Sequence, residues 1–270
     1  MSAYPGLANQ TIVVTGAAGG QGLREALLLA EHGARVIATD LHSEAPTEYV
    51  ERGITYAQLD VTREADWRSL TDLLAARLDT APLKGLINNA GTTHRSRLGE
   101  IERTAWDRVF AVNVTGAMLG MQHLVPFMGA GSSIVNVGSI AGLTAHYPVA
   151  YTSSKWALRG LTHVAATEFG PRGIRVNIIH PGFIETEMTA KAPELMRATQ
   201  LELTPLERIG AADEVAHVAA FLLSDAAAYV TGAEIPVDGG YSSSAGAALL
   251  SGRLAAASPL VPPSPGAPRP

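Results

Sequence analysis

Thr11-Ile12-Val13-Val14-Thr15-Gly16-Ala17-Ala18-Gly19-Gly20-Gln21-Gly22 is the stretch from which the rest of the chain can be read. Five consecutive β-branched residues, Thr11–Thr15, suit a short buried strand. Glycines follow at 16, 20 and 22. Leu23, Ala26, Leu27 and Ala30 then recur at helical spacing. A strand, a glycine turn and a helix in that order let the backbone approach a pyrophosphate at a helix N-terminus. Glycine-rich turns occur in every fold. The strand-loop-helix context is what makes this one a dinucleotide-binding expectation.

Working outward, the runs Arg35–Asp40, Thr55–Asp60, Gly85–Asn88, Ser133–Val137, Arg175–His180 and Glu234–Val237 read as six further strands. They are rich in β-branched residues and bounded by turn residues. Helical patterns separate them, Val215, Val218, Ala219 and Leu222 among them. This alternation predicts βαβ units and a parallel sheet covered on both faces, an α/β fold. There is no internal repeat and no linker before residue 240. One domain is therefore expected over residues 1–241, followed by a Ser/Ala/Pro-rich tail over 242–270. Within that tail Leu249, Leu250 and Leu254 suit a short helix. Pro259–Pro270 is expected as a disordered tail, with an arm along a neighbouring subunit as the alternative.

Composition narrows the function. The 270 residues carry a net charge of −5, with 47% apolar and 17% charged residues, enough for one sizeable core. So few charges also suit surface buried in an oligomer. The 20 Lys and Arg are dispersed rather than gathered in a stripe, so no nucleic-acid partner is expected. Without cysteine there are no disulfides or thiolate metal sites, and the histidines lack metal-ligand spacing. Met1–Gln10 does not resemble a secretory signal, and no apolar run approaches the ~20 residues that span a bilayer. A cytoplasmic protein without membrane contact is expected.

The second strand ends at Asp40, 18 residues after Gly22. A carboxylate there can accept hydrogen bonds from the adenosine ribose hydroxyls and would repel a 2′-phosphate. Gly19, Leu41 and His42 supply no permanent cation, so NAD is expected rather than NADP. Tyr151-Thr152-Ser153-Ser154-Lys155 opens a helical stretch running to about Glu168, with Tyr and Lys four apart on one face. A cation ~5 Å from a phenol supplies roughly 3 kcal/mol toward lowering a pKa that is ordinarily near 10. Ser139, just past the strand Ser133–Val137, can hydrogen-bond a substrate oxygen at the C-terminal end of the sheet. Asn113 interrupts an apolar helical stretch. A buried amide needs partners, and a water chain beside Lys155 would provide them. Alone, Ser139 reads as a helix cap and Asn113 as a core amide. Together with Tyr151 and Lys155 they read as a catalytic set.

At this point the sequence resembles the short-chain dehydrogenase/reductase family, from about Leu7 to Tyr241. The matching pieces stand in family order: TGAAGGQG at Thr15, LDVT at Leu59, NNAG at Asn88, VNVTG at Val112, VGSIAG at Val137, YTSSK at Tyr151, HPGFIET at His180 and VDGG at Val237. The resemblance implies a single Rossmann-like, doubly wound domain with a seven-stranded parallel sheet, commonly a homotetramer. It implies that Asp60 and Val61 contact the adenine, and that Asn89, Ala90 and Gly91 line the ribose and the pocket floor. Lys155 would hold the nicotinamide ribose; Pro181, Gly182, Ile184 and Thr186 would hold the carboxamide side. EADW at Glu64, SSKWALRGLT at Ser153 and YVTGAEIPVDGGY at Tyr229 look like bacterial 3α,20β-hydroxysteroid and related cyclic-alcohol dehydrogenases.

Two residues depart from the family pattern. Gln21 replaces a small apolar residue, and Gly138 stands where many members carry a second serine. His94, His146 and Tyr147 fall in loops near the expected pocket. Met188, Leu195, Met196 and Leu201 fall where the family often has a mobile substrate lid. The reaction implied is hydride transfer between NAD(H) and a small secondary alcohol or ketone, apolar and cyclic or steroidal. The alternatives are a 3-oxoacyl-thioester reductase, against which Asp40 argues, and a catalytically silent NAD-binding sensor or scaffold.

Overall fold

The computed structural model describes residues 3–78, 81–190, 192–244 and 246–257; Pro259–Pro270 and the side chain of Met188 lie outside that description. In chain order the elements are β1 (Thr11–Thr15), α1 (Gly20–Glu31), β2 (Arg35–Asp40), α2 (Thr47–Glu51), β3 (Thr55–Gln58), α3 (Glu64–Ala75) and β4 (Leu83–Asn88). Next come α4 (Arg103–Phe110), a π turn (Ala111–Thr115), α5 (Gly116–Leu124), β5 (Met128–Val137) and α6 (Val149–Phe169). The chain continues with β6 (Arg175–Pro181), β7 (Ile184–Glu185), α7 (Glu187–Ala190), α8 (Glu194–Leu203) and β8 (Gly210–Ala211). It closes with α9 (Ala212–Leu223), β9 (Glu234–Val237), α10 (Tyr241–Ser244) and α11 (Ala247–Ala257).

Seven strands form one parallel sheet in the order β3-β2-β1-β4-β5-β6-β9. β7 and β8 pair separately, Ile184 opposite Gly210. Alternate residues of a strand face opposite sides. Accordingly Ile12 and Val14 join the core under α1 and α9, while Val13 joins the core under α3 and α5. This is the Rossmann-like single domain expected from the pattern. The order reverses between β1 and β4, which opens a crevice at their C-terminal ends, where open α/β sheets bind ligands.

Each of the seven strand expectations finds its strand; β1, β2 and β9 match end to end, and β3, β4, β5 and β6 differ at one end. β3 stops at Gln58 rather than Asp60 because the Asp66 carboxylate takes the Asp60 N–H at 2.9 Å. The Asp60 carboxylate in turn accepts from the Thr62 N–H and hydroxyl at 2.9 and 2.7 Å, turning the chain out of the sheet. α1 buries the expected face, Ala26 and Leu27 in the core with Leu23 and Ala30 packed against it, and also Gly22, Glu25, Leu28 and Leu29, because the helix lies between the sheet and α9. α11 packs against α8, and Arg253 reaches Glu202 at 3.4 Å.

Candidate active site

The glycine loop is shaped by close approach. Gly16 and Gly20 have φ of +65° and +56°, a region that L side chains rarely enter. A Cβ on Gly16 would lie 2.7 Å from the Ala90 Cα, and one on Gly22 would run into the Gly16 carbonyl. Gly19, in contrast, faces open space. Asn89 braces the loop from below, its Nδ2 donating to the Thr15 and Gly16 carbonyls at 3.0 and 2.8 Å. Its amide nitrogen thus serves the loop, a role the resemblance did not assign. Asp40 braces it from the side, Oδ2 accepting from the Ala18 N–H at 2.9 Å.

An open cleft of about 510 Å³ runs along the C-terminal ends of the strands from this loop. Gly16, Gly20, Gln21 and Thr186 line its phosphate end, and Asp40, Asp60 and Val61 its far end. Asn89, Ala90 and Gly91 form its floor, with Tyr151 and Lys155 at the reactive end. Gly22 lies beneath the loop. Pro181, Gly182 and Ile184 do not line this cleft. Pro181 ends β6, Gly182 is pressed against Asp238, and buried Ile184 faces a neighbouring cavity of about 470 Å³. The sequence reading missed Arg108 and His42 as lining residues. His42 Nδ1 lies 2.8 Å from Asp40 Oδ1, a contact that no spacing rule would suggest.

The cleft suits a dinucleotide. Glycines leave a cradle at the start of α1, the Asp40 carboxylate faces the cleft, and the buried Oε1 of Gln21 has no partner. That oxygen would accept from a ribose hydroxyl or a carboxamide. Gly16, Gly20, Asp40, Asp60 and Lys155 are the residues that would hold the cofactor.

At the reactive end, α6 begins two residues before Tyr151, which places the phenol in its first turn. Burial pushes the Tyr151 phenol up, and a hydrogen bond with the Ser139 side chain pulls it partly back. Lys155 is buried, and that burial brings its ammonium down to about 8. Its Nζ donates to the Val137 carbonyl at 2.7 Å and stands 5.6 Å from the centre of the Tyr151 ring. The expected lowering of Tyr151 is therefore outweighed here by desolvation, which disfavours the charged phenolate. Ser139 caps a single 3₁₀ turn, its Oγ accepting from the Ala141 N–H at 3.1 Å.

Asn113 sits on the π turn between α4 and α5, a form that recurs at functional sites. Protein groups partner its side chain. Oδ1 accepts from the Thr92 N–H at 2.8 Å, and Nδ2 donates to the Thr92 carbonyl and the Ser154 hydroxyl, both at 2.9 Å. The amide thus ties the loop after β4 to the helix carrying Tyr151 and Lys155. Of the loop residues weighed, Tyr147 is largely exposed, with the Arg97 guanidinium 4.2 Å above its ring. His146 is half-buried beside Tyr241. Among the described residues no three His, Asp or Glu side chains cluster as metal ligands, and no helix is long and apolar enough to cross a membrane.

Known proteins bear on this geometry. A family profile described as enoyl-(acyl carrier protein) reductase matches residues 16–242. The chain is 37% identical to a cyclohexanol dehydrogenase of Acinetobacter sp. (strain SE19), covering 87% of this chain and 96% of that protein. It is 37% identical to a 3-alpha-(or 20-beta)-hydroxysteroid dehydrogenase of Mycobacterium tuberculosis (strain ATCC 25618 / H37Rv), covering 87% and 90%. Identity is also 37% to a 3-oxoacyl-(acyl-carrier-protein) reductase of Thermotoga maritima, covering 87% and 98%. Among solved structures, one from Brucella melitensis 16M named ribose-5-phosphate isomerase superposes with a TM-score of 0.81 at 31% identity, covering 88% and 94%. With residues of the glycine loop and of the LDVT, NNAG, VGSIAG and YTSSK motifs lining one cleft and these relatives spanning most of its length, the chain belongs to the short-chain dehydrogenase/reductase family, whose dehydrogenases use nicotinamide cofactors.

Proposed function

We propose that this protein transfers hydride between NAD(H) and a secondary alcohol or its ketone, with an apolar cyclic or steroidal substrate. The observation that carries the reading is Tyr151 and Lys155 together at the end of the cofactor cleft, the phenol ring one helical turn from the buried ammonium with Nζ 5.6 Å from its centre. A bound nicotinamide supplies the two-electron acceptor or donor. In oxidation Tyr151 takes the hydroxyl proton as the carbinol hydride leaves, and in reduction it returns a proton to the ketone oxygen. Ser139 orients that oxygen. Lys155 places positive charge beside the forming phenolate, and Asn113 holds the loop and helix in register.

The likeness to cyclohexanol and hydroxysteroid dehydrogenases supports the substrate class, as do Leu195 and Met196, exposed on α8. Asp40 supports NAD over NADP, since it lines the cleft and its carboxylate would repel a 2′-phosphate. Such repulsion also weighs against the thioester-reductase reading. A homotetramer is the assembly proposed, supported by Trp156 and Val164, apolar and exposed on α6; a sizing column tests it.

The test is a panel of cyclohexanol, cyclopentanol and a 3α-hydroxysteroid with NAD or NADP. Tyr151→Phe keeps the ring and removes the hydroxyl, so turnover should fall by about 10²–10⁴-fold while NADH binding, followed by fluorescence, is kept. An unimpaired Tyr151→Phe enzyme would overturn the mechanism. No turnover with any partner, beside tight NADH binding, would favour the silent sensor.

A further inference from the structure

Tyr151 and Lys155 start a stripe that continues down the same face of α6 at four-residue spacing, through Arg159 and His163. Both lower members converge on Glu234, the first residue of β9. Arg159 Nη2 donates to Oε1 at 3.1 Å with its Nε 2.9 Å from Oε2, and His163 Nε2 lies 2.7 Å from Oε1. Arg159 also donates from Nη1 to the Gly142 carbonyl at 2.8 Å, gripping the far end of the turn that Ser139 caps.

His180 closes the ring. It is fully buried near the end of β6, with Nδ1 2.9 Å from the Ser139 carbonyl and Nε2 3.6 Å from Glu234 Oε2. Nδ1 is also 3.4 Å from the Ser139 N–H. The shorter contact decides the tautomer. Two lone pairs 2.9 Å apart would repel, so Nδ1 carries the proton and donates to Ser139. This arrangement also accounts for a departure from the family pattern. A Cβ on residue 138 would lie 2.7 Å from His180 Nδ1 and 2.9 Å from the Ile179 carbonyl oxygen, so the imidazole and that carbonyl together take the room that a serine at 138 would need.

We propose that His180 is a positioning residue for Ser139, its Nδ1–H and the Glu234–Arg159 pair clamping the serine turn so that the Ser139 hydroxyl meets the oxygen that reacts with Tyr151. This rests on the acid–base reading above. Burial keeps the imidazole neutral by pulling its pKa down. Arg159 and Lys155 push the same way, against the Ser139 carbonyl and Glu234. Glu234 stays ionised because the His163 and Arg159 hydrogen bonds outweigh the upward push of its burial. On its other side the ring's Nε2 stands 3.6 Å from Glu234 Oε2 without a hydrogen bond, so Nδ1–H is the contact that ties the imidazole to the turn, while Arg159 holds the far end at Gly142.

The test is a double-mutant cycle on the full chain, with melting temperatures recorded and the fastest alcohol of the panel as probe. His180→Ala should lower kcat about 10- to 100-fold, the scale of a displaced catalytic group, with little change in the KM for NAD. His180→Asn places an amide nitrogen near the position of Nδ1 and should recover most of the loss. Gly138→Ala should slow the otherwise unmodified enzyme by pushing the imidazole aside, and should cost less in the His180→Ala background, where only the contact with the Ile179 carbonyl at 2.9 Å remains. Three results would overturn the proposal: undiminished kcat in His180→Ala, an Asn variant as slow as Ala, or a Gly138→Ala cost that is the same in both backgrounds. Should His180→Ala fail to fold, His180→Asn and Gly138→Ala decide: a Gly138→Ala enzyme with full kcat overturns it. Tyr151→Phe run alongside separates the two readings. If it stays active the acid–base role fails. If it is dead while His180→Ala turns over normally, only the positioning role falls.

Discussion

Glu25 should make this protein less stable as pH rises through neutrality, and Glu25→Gln should remove that dependence. The side chain is 1% exposed, and neither carboxylate oxygen has a hydrogen-bond partner. Burial raises its pKa from 4.5 to about 8. A carboxyl whose folded pKa is raised keeps its proton in the fold. It costs nothing below the unfolded pKa, and the cost then grows with pH until it levels above the folded pKa. At 1.36 kcal/mol per unit, the penalty is about 3 kcal/mol at pH 7 and about 5 kcal/mol well above pH 8. Gln carries no charge to bury, though its amide costs a pH-independent ~1–3 kcal/mol if it too lacks partners. The difference between pH values is therefore the readout, not the offset at any one pH. Thermal melts of both proteins from pH 5 to pH 8 should show the Gln variant gaining on the parent by roughly 7–15 °C. Parallel melting curves across that range would refute the reasoning and imply that Glu25 finds a partner or water in solution.

Asp40→Asn keeps an oxygen for the Ala18 N–H but removes the charge, so stability should hold while the preference for NADH over NADPH narrows by about tenfold or more, worth ~1.4 kcal/mol; equal use of both cofactors by the unmodified protein would contradict the role of Asp40. Gly22→Ala drives a methyl into the Gly16 carbonyl and the Asn89 amide, so backbone must move. It should cost about 3 kcal/mol or more and weaken NADH binding, read by melting and fluorescence titration. Deleting Pro259–Pro270 should leave melting, oligomer size and turnover unchanged, whereas removing residues 247–270 as well takes away α11 and its contact with α8 and should change the KM for the alcohol.

Much of the fold was legible because it is local. Runs such as Thr11–Thr15 and Arg35–Asp40 are rich in β-branched residues and bounded by turn residues, so their chemistry marks them as strands wherever they pack. The glycine loop, Tyr151 with Lys155, and Ser139 were legible for the same reason, since short-range spacing sets which groups share a turn or a helix face. What followed from long-range packing was not. Glu25 looks like a solvated helix residue until α9 closes over α1. The β3 boundary depended on a carboxylate six residues away, and the partners of Asn113 came from residues 21 and 41 positions distant. His180 and Glu234 stand 54 positions apart, yet strand register sets them beside the Ser139 turn. Periodicity says that a residue lies on a face; only the packed sheet and helices decide what that face meets, and so whether a charge is paired, stranded or set to hold a catalytic group.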